Sequence, residues 1–140
     1  MSTSRYVENQ ILSADPMGLV RLLYQGAIDS LLQAASFFSE GKIQERSAAI
    51  SKAMQIVVEL QTSLNMDAGG EIAQRLAQLY AYIQERLVEA NAEQKMPPLQ
   101  EAIKLLNILY GGWEEAALQV ITPVLLEPTL AVQPGAGWTG

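Results

Sequence analysis

Cysteine and histidine are both absent from the 140 residues of this sequence. Without cysteine, the chain can form no disulfide, no thiolate metal site and no cysteine nucleophile. Without histidine, it lacks the commonest general base and metal ligand, and also the phosphate acceptor of a histidine phosphotransfer bundle. The sequence therefore predicts a protein that is not an enzyme, with no catalytic, cofactor-binding or metal-binding residues.

Basic residues and long apolar runs are also scarce. Nine Lys and Arg residues stand against 15 Asp and Glu, giving a net charge of −6, and they are scattered along the chain. Because nucleic-acid binding needs clustered positive charge, this pattern argues against a nucleic-acid partner. No apolar run approaches the roughly 18 to 20 residues that cross a bilayer, and the first residues contain no apolar stretch typical of a secretory signal. We therefore expect a cytoplasmic protein that is not inserted in a membrane.

The sequence is rich in helix-forming residues, and its apolar residues recur with helical spacing. A hydrophobic fraction of 49% suits a soluble helical protein with a sizeable core. The pattern predicts an all-α fold, an antiparallel four-helix bundle with an N-terminal arm and an irregular apolar C-terminal tail. It divides the chain into an arm or short cap helix at 1–15, the bundle at 16–120, and a tail with Pro and Gly at 121–140.

Turn and cap residues predict where the four helices begin and end. Asp15-Pro16 is a good helix start, and Gly41 is a helix stop. Residues 65–70 form a predicted turn, and Pro97-Pro98 can begin a helix but not continue one. The pair Gly111-Gly112 predicts a kink or a close helix contact in the last helix. The predicted helices are residues 16–38, 43–64, 71–91 and 99–119.

The third predicted helix is more apolar than one buried face requires. Its apolar arc covers roughly 200°, about twice the stripe that a surface helix buries. Either other helices of the bundle cover the whole arc, or part of it is a groove for a partner. From the residues alone, both explanations remain open.

Five stretches, in this order, resemble the flagellar export chaperones of the FliS type. The first is an N-terminal arm with Tyr6, and the others are LLYQGAI at 22–28, KAMQIVVELQTSLNMDAGGEIA at 52–73, LAQLYAYIQERLVEAN at 76–91 and LLNILYGGW at 105–113. Each stretch alone is weakly specific, but their combination and order are distinctive. They cover the chain from about residue 6 to 117.

This resemblance implies a bundle around which the C-terminal segment of flagellin wraps, partly as helices in apolar grooves. Binding would prevent premature polymerisation in the bacterial cytoplasm and deliver flagellin for flagellar type III secretion, with the flagellar export gate as a further partner. The alternative is a helical adaptor that binds itself or another regulatory protein through the same groove.

The resemblance also implies which residues have these roles. Tyr6 would cap a pocket until the client displaces it. The resemblance gives no role for the tail, but the apolar composition of residues 124–132 leads us to expect that they occupy an apolar groove when flagellin is absent. We expect Ile72, Leu76, Ile83 and Leu87 to hold the bundle together. The predicted partner-binding residues are Tyr6, Ile50, Ala53, Ile56, Val57, Ala73, Ala77 and Tyr80.

Overall fold

The structure, a computed structural model, describes residues 16–116, with side chains from 18 to 115. Within them, four α-helices follow one another: α1 (Pro16–Glu40), α2 (Ile43–Thr62), α3 (Met66–Ala92) and α4 (Met96–Ala116). Connections this short make consecutive helices antiparallel. Each helix packs on the next, and α4 returns to α1, so the four helices form a closed ring around one core. The predicted all-α bundle is confirmed.

The first helix is built on a regular apolar stripe. Its fully buried residues recur three and four positions apart, as one face of a helix requires: Val20, Tyr24, Ala27, Leu31 and Ala34. The helix ends at Glu40, and the next residue is Gly41, whose φ of +72° lies in the left-handed region. The N–H of Gly41 donates to the Phe38 carbonyl and that of Lys42 to the Phe37 carbonyl, which is the Schellman arrangement.

The connection from α2 to α3 differs from its prediction. Residues 65–70 were expected to form a turn, but the helix already begins at Met66, where the Asn65 side chain accepts a hydrogen bond from the backbone N–H of Ala68. Gly70 then breaks the helical geometry with a φ of 56° and a ψ of −132°. That conformation is open only to glycine, so the longer part of α3 begins at Glu71, as the sequence indicates.

The last helix begins at Met96, which puts Pro97 and Pro98 in its first turn. A residue in the first turn of a helix has no intrahelical acceptor for its backbone N–H. Proline, which lacks that N–H, therefore loses no hydrogen bond there. The helix continues through Gly111 and Gly112. Among the described residues, a Cβ atom added to either glycine would have nothing within 4 Å, so the predicted close helix contact at this pair is not found within the described bundle. Tyr6, the arm at 1–15 and the tail at 121–140 lie outside the described residues.

Candidate protein-binding surface

Two tyrosines and a tryptophan meet in the centre of the bundle. Tyr24 of α1 and Tyr80 of α3 are fully buried, and their hydroxyl oxygens are 2.5 Å apart. Trp113 of α4 donates its Nε1–H to the Tyr80 hydroxyl over 3.3 Å. The Tyr24 ring also stacks on Tyr110, with ring centroids 5.8 Å apart. These contacts join three helices by polar bonds inside an apolar core.

Burial keeps both phenols neutral. Loss of solvation raises the pKa of Tyr24 far above its ordinary value, and the neighbouring Tyr80 raises it further. Burial likewise raises the pKa of Tyr80, although its hydrogen bonds with Tyr24 and Trp113 act in the opposite direction. The pair therefore provides hydrogen bonds and packing, and carries no charge at neutral pH.

Most of the predicted partner-binding residues lie in the core. Ile56 and Ala77 are half-buried. A Cβ on Gly26 of α1 would lie 3.4 Å from the Cδ1 of Ile56, so Ile56 faces α1. The others described are buried, and they form part of the interior of the bundle instead of an open groove: Ile50, Ala53, Val57, Ala73 and Tyr80. Their contact with a partner, like that of Tyr6, stays a prediction.

The core face of α3 also differs from the expected one. Ile83 and Leu87 are fully buried, which confirms that they hold the bundle together. Ile72 is 45% exposed, so its assignment to the core is wrong, and Leu76 is only half-buried. The interior contacts run down the middle of the wide apolar arc, through Ala73 and Tyr80. Both flanks of the arc are consequently left at the surface.

One flank of α3 faces α4. Glu101 of α4 accepts a hydrogen bond from the Tyr82 hydroxyl over 2.8 Å and pairs with Arg86 over 2.7 Å. Leu79 is three residues before Tyr82 and seven before Arg86, so it continues the same face. Because α4 is antiparallel to α3, the residues that follow Glu101 on α4 lie beside those that precede Tyr82 on α3. Leu105, Ile108 and Leu109 are four, seven and eight positions after Glu101. We call the resulting surface the α3–α4 seam: Ile72, Leu76, Leu79, Leu105, Ile108 and Leu109.

The α3–α4 seam is apolar and accessible. Ile72, Leu79 and Ile108 are 45%, 36% and 59% exposed. Leu76, Leu105 and Leu109 are partly buried and pack against the core below them. Side chains that are only partly covered by their own bundle leave apolar area that a partner can bury. The seam is closed at one end by the polar group of Tyr82, Arg86 and Glu101.

The other flank of α3 faces α2. Gln61 donates to the Ala77 carbonyl over 3.4 Å and accepts from Gln84 over 2.8 Å. Val58 lies one turn before Gln61, and Val88 lies one turn after Gln84, which brings them to the same region of this antiparallel pair. They are 44% and 52% exposed. We call this surface the α2–α3 seam: Met54, Val58, Ala77, Ala81 and Val88.

Sequence reasoning assigned none of these exposed seam residues to a binding surface: Val58, Leu79, Val88 and Ile108. The signal that could have identified them is their position at the edge of the apolar face of each helix. An edge residue contacts the core on one side and solvent on the other, whereas a residue at the centre is enclosed.

Within the described part of the chain, no three Asp or Glu side chains lie together as metal ligands would. None of the four helices is long and apolar enough to span a bilayer.

A closed helical bundle with apolar seams on both sides of one helix defines a protein-binding module. The chain belongs to the FliS family, since the family model described as flagellar protein FliS matches residues 1–120. This confirms the resemblance found in the sequence.

Individual relatives agree with this assignment. The chain is 37% identical over 108 residues to the flagellar secretion chaperone FliSB of Pseudomonas aeruginosa, covering 77% of this chain and 86% of that protein. It is 34% identical over 110 residues to the flagellar secretion chaperone FliS of Salmonella typhimurium, covering 78% and 82%. It is 30% identical over 129 residues to that of Escherichia coli, covering 91% and 89%.

Proposed function

We propose that this protein is a non-enzymatic export chaperone that binds the C-terminal segment of flagellin in the bacterial cytoplasm. Binding prevents premature polymerisation and presents flagellin for flagellar type III secretion, with the flagellar export gate as the receiving partner. Membership of the FliS family and relatives named flagellar secretion chaperones support this role. The structural observation that carries it is the pair of exposed apolar seams on either side of α3.

The two seams suit an amphipathic segment that becomes helical when it binds. A helix recognises such a groove by placing apolar side chains at positions i, i+3, i+4 and i+7 into it. Ordering a disordered client costs about 2 to 5 kcal/mol or more of the gross interaction free energy. Half-exposed Ile, Leu and Val side chains can offset that cost because each gains further burial.

The client would occupy both seams and so wrap around α3. In this arrangement Ala77 contributes directly through the α2–α3 seam, and Tyr6 caps a pocket until the client displaces it. Ala73 and Tyr80 would support the seams from beneath, since they are fully buried. Ile50, Ala53 and Val57 would do the same from α2.

Calorimetric titration with the C-terminal segment of flagellin from the same cell tests the proposal. We expect association near one to one, a negative heat-capacity change from apolar burial, and a gain of client helicity in circular dichroism. Absence of both heat and helicity would contradict the chaperone function and leave the adaptor function, which self-association measurements would then examine.

The choice of variant decides whether that titration can be interpreted. Ala53→Glu is unsuitable, because Ala53 is fully buried and an unpaired carboxylate there should unfold the bundle. Ile108→Glu is suitable because Ile108 is 59% exposed. Its matched control is Leu32→Glu, since Leu32 is 51% exposed on α1, away from both seams. Equal affinity of these two variants would argue against the α3–α4 seam.

A further inference from the structure

A small pocket opens at the end of the bundle, where α1 connects to α2 and α3 ends. Its cavity volume is about 160 Å³. That is room for a small chemical group, below the several hundred Å³ of sites for drug-sized ligands. Apart from Gly41, the pocket is lined by Phe37, Phe38, Lys42, Ile43, Arg46 and Gln94. Its lining thus contains two cations and no carboxylate.

Arg46 is a buried cation without a carboxylate partner in the described residues. It is only 4% exposed. Its guanidinium carbon lies 5.1 Å from the centroid of the Phe38 ring, and its Nη2 donates to the carbonyl and side-chain oxygens of Asn91 over 3.4 and 3.2 Å. Its Nε is buried and makes no hydrogen bond. Within the described part of the chain, the contacts of the Arg46 guanidinium are therefore with neutral groups.

Arg86 shows how the same bundle compensates a half-buried guanidinium elsewhere. Arg86 lies 2.8 Å from a carboxylate oxygen of Glu89 and 2.7 Å from one of Glu101. A buried charge is costly when it has no opposite charge, and the cost falls when a well-oriented anion pairs with it. Arg46, the more deeply buried of the two, has no such anion among residues 16–116.

The backbone at the pocket adds to the positive potential. Lys42 is the N-cap of α2, and no side chain caps that helix end. The first N–H groups of a helix have no intrahelical acceptor and form the positive end of its dipole, which favours anions. The Lys42 ammonium pairs at the surface with Glu40 over 3.1 Å, so it adds little charge of its own.

We propose that this pocket binds a carboxylate that is attached to a short apolar group. The Arg46 guanidinium and the start of α2 attract the carboxylate, and the planar guanidinium matches its geometry. Phe37, Phe38 and Ile43 contact the apolar group. This chemistry occurs in the C-terminal end of a polypeptide and in a free branched-chain carboxylic acid. The pocket lies at the end of the bundle where α3 finishes, away from the N-terminal half of α3 that carries Ile72 and Leu79.

Titration of the full chain, followed by amide and guanidinium ¹H–¹⁵N signals, tests the proposal with isovalerate and N-acetyl-leucine as probes. We expect saturable shifts of the Arg46 Nε–H and of the Gly41 and Lys42 amides with both acids. The uncharged isovaleramide and N-acetyl-leucinamide should bind about tenfold to a hundredfold more weakly, the loss expected for a charge-assisted hydrogen bond. Tighter binding of N-acetyl-leucine identifies a chain end as the source, and tighter binding of isovalerate identifies a free acid.

Arg46→Met removes the charge and keeps an apolar side chain, so it should abolish the shifts at Gly41 and Lys42. Arg75→Met is the matched control, because Arg75 is exposed and pairs with Glu71 on α3. If Arg46→Met does not fold, Arg46→Lys should still weaken binding, since lysine lacks the planar fork. The proposal would be overturned if the acid and its amide bound equally, or if chloride caused the same shifts as the acids. It would also be overturned if the shifts were unchanged in Arg46→Met.

Discussion

The hydroxyl of Tyr80 is the meeting point of three buried side chains. Trp113 donates its indole N–H to this oxygen, and the Tyr24 hydroxyl shares a hydrogen with it. The three side chains offer three polar hydrogens but form two hydrogen bonds with one another. Among the described residues, one hydroxyl hydrogen is thus left without an acceptor. Because an unmet donor in a core costs free energy, the cluster is held in place by the packing around it.

This arrangement predicts unequal effects of two matched substitutions. Tyr80→Phe leaves both the Trp113 N–H and the Tyr24 hydroxyl without a partner, so it should lower the free energy of unfolding by about 2 to 4 kcal/mol. Tyr24→Phe leaves the bond from Trp113 to Tyr80 in place and should cost about 1 kcal/mol or less. Urea denaturation followed by circular dichroism measures both. Equal losses would show that the hydroxyl network contributes nothing beyond packing.

The raised pKa values of the same pair predict weaker stability in alkali. In the unfolded chain a tyrosine loses its proton near its ordinary pKa of about 10, whereas burial raises the pKa of Tyr24 and of Tyr80 in the folded chain. Their contribution is therefore complete below about pH 10 and is lost as the pH rises above it, since the unfolded state then binds fewer protons. Each phenol should add a slope of up to about 1.4 kcal/mol per pH unit.

The double variant Tyr24→Phe/Tyr80→Phe isolates this effect. Its unfolding free energy should fall less steeply than that of the natural chain between about pH 10 and 11.5, because it lacks the two buried phenols whose pKa values are raised by folding. Urea denaturation at a series of pH values gives the two slopes. Identical slopes would mean that the buried phenols lose protons at ordinary pH in the folded state.

At the scale of helices, α1 and α3 end with the same backbone geometry but with different residues. Gly41 and Gln94 both have a positive φ, and both follow the last turn of a helix. After Gln94, the N–H of Lys95 donates to the Ala90 carbonyl, as in the Schellman arrangement after α1. Glycine adopts this conformation freely, but a residue with a Cβ pays about 1 kcal/mol.

Gln94→Gly should accordingly stabilise the bundle by about 0.5 to 1 kcal/mol, whereas Gly41→Ala should destabilise it by a similar amount. Thermal and urea unfolding measure both changes. Gln94→Ala is the control for the loss of the glutamine side chain, because it keeps the strained backbone. If Gln94→Ala stabilised the chain as much as Gln94→Gly, the backbone conformation would not be the cause.

Gly111 and Gly112 offer a second prediction about helix stability. Both lie inside α4, and a Cβ at either would meet nothing within 4 Å in the part of the chain that the structure describes. Gly111→Ala and Gly112→Ala should each stabilise the bundle by about 0.5 to 1 kcal/mol, because alanine loses less backbone entropy in a helix. Chemical denaturation checks this. Destabilisation by either alanine would indicate a contact that the free bundle does not show.

These elements show why sequence predicted the helices better than their faces. Pro16 and Gly41 have local backbone preferences. These preferences are visible in the sequence and predict where α1 begins and ends. The side chains of Ile72 and Tyr80 are both apolar and both belong to the same wide arc. Which of them is buried depends on where α4 and α2 lie against α3, and that is set by packing between distant residues.

At the scale of the whole molecule, α3 is the helix whose apolar surface is least completely covered. It packs on α2 and α4, and α1 lies across the core, where Tyr24 reaches Tyr80. The two seams therefore run along opposite sides of α3. A single client segment can reach both only by passing around the outside of this helix, so wrapping is a geometric consequence of using both seams.

Charge substitution in each seam tests whether one client uses both. Ile108→Glu alters the α3–α4 seam and Val88→Glu the α2–α3 seam, at side chains that are 59% and 52% exposed, so the fold should be retained. Each should weaken binding of the flagellin segment about tenfold, because a charge replaces an apolar contact. Substitutions on opposite sides of α3 should act independently, so the double variant should bind about a hundredfold more weakly.

Calorimetry on the four proteins, with Leu32→Glu as the control, gives a direct answer. Affinity that falls with Ile108→Glu and not with Val88→Glu would restrict the client to the α3–α4 seam. The opposite result would restrict it to the α2–α3 seam, where Ala77 lies. Additive losses, together with unchanged affinity in Leu32→Glu, are the expected result for a client that surrounds α3, because only then does each seam supply a separate part of the binding free energy.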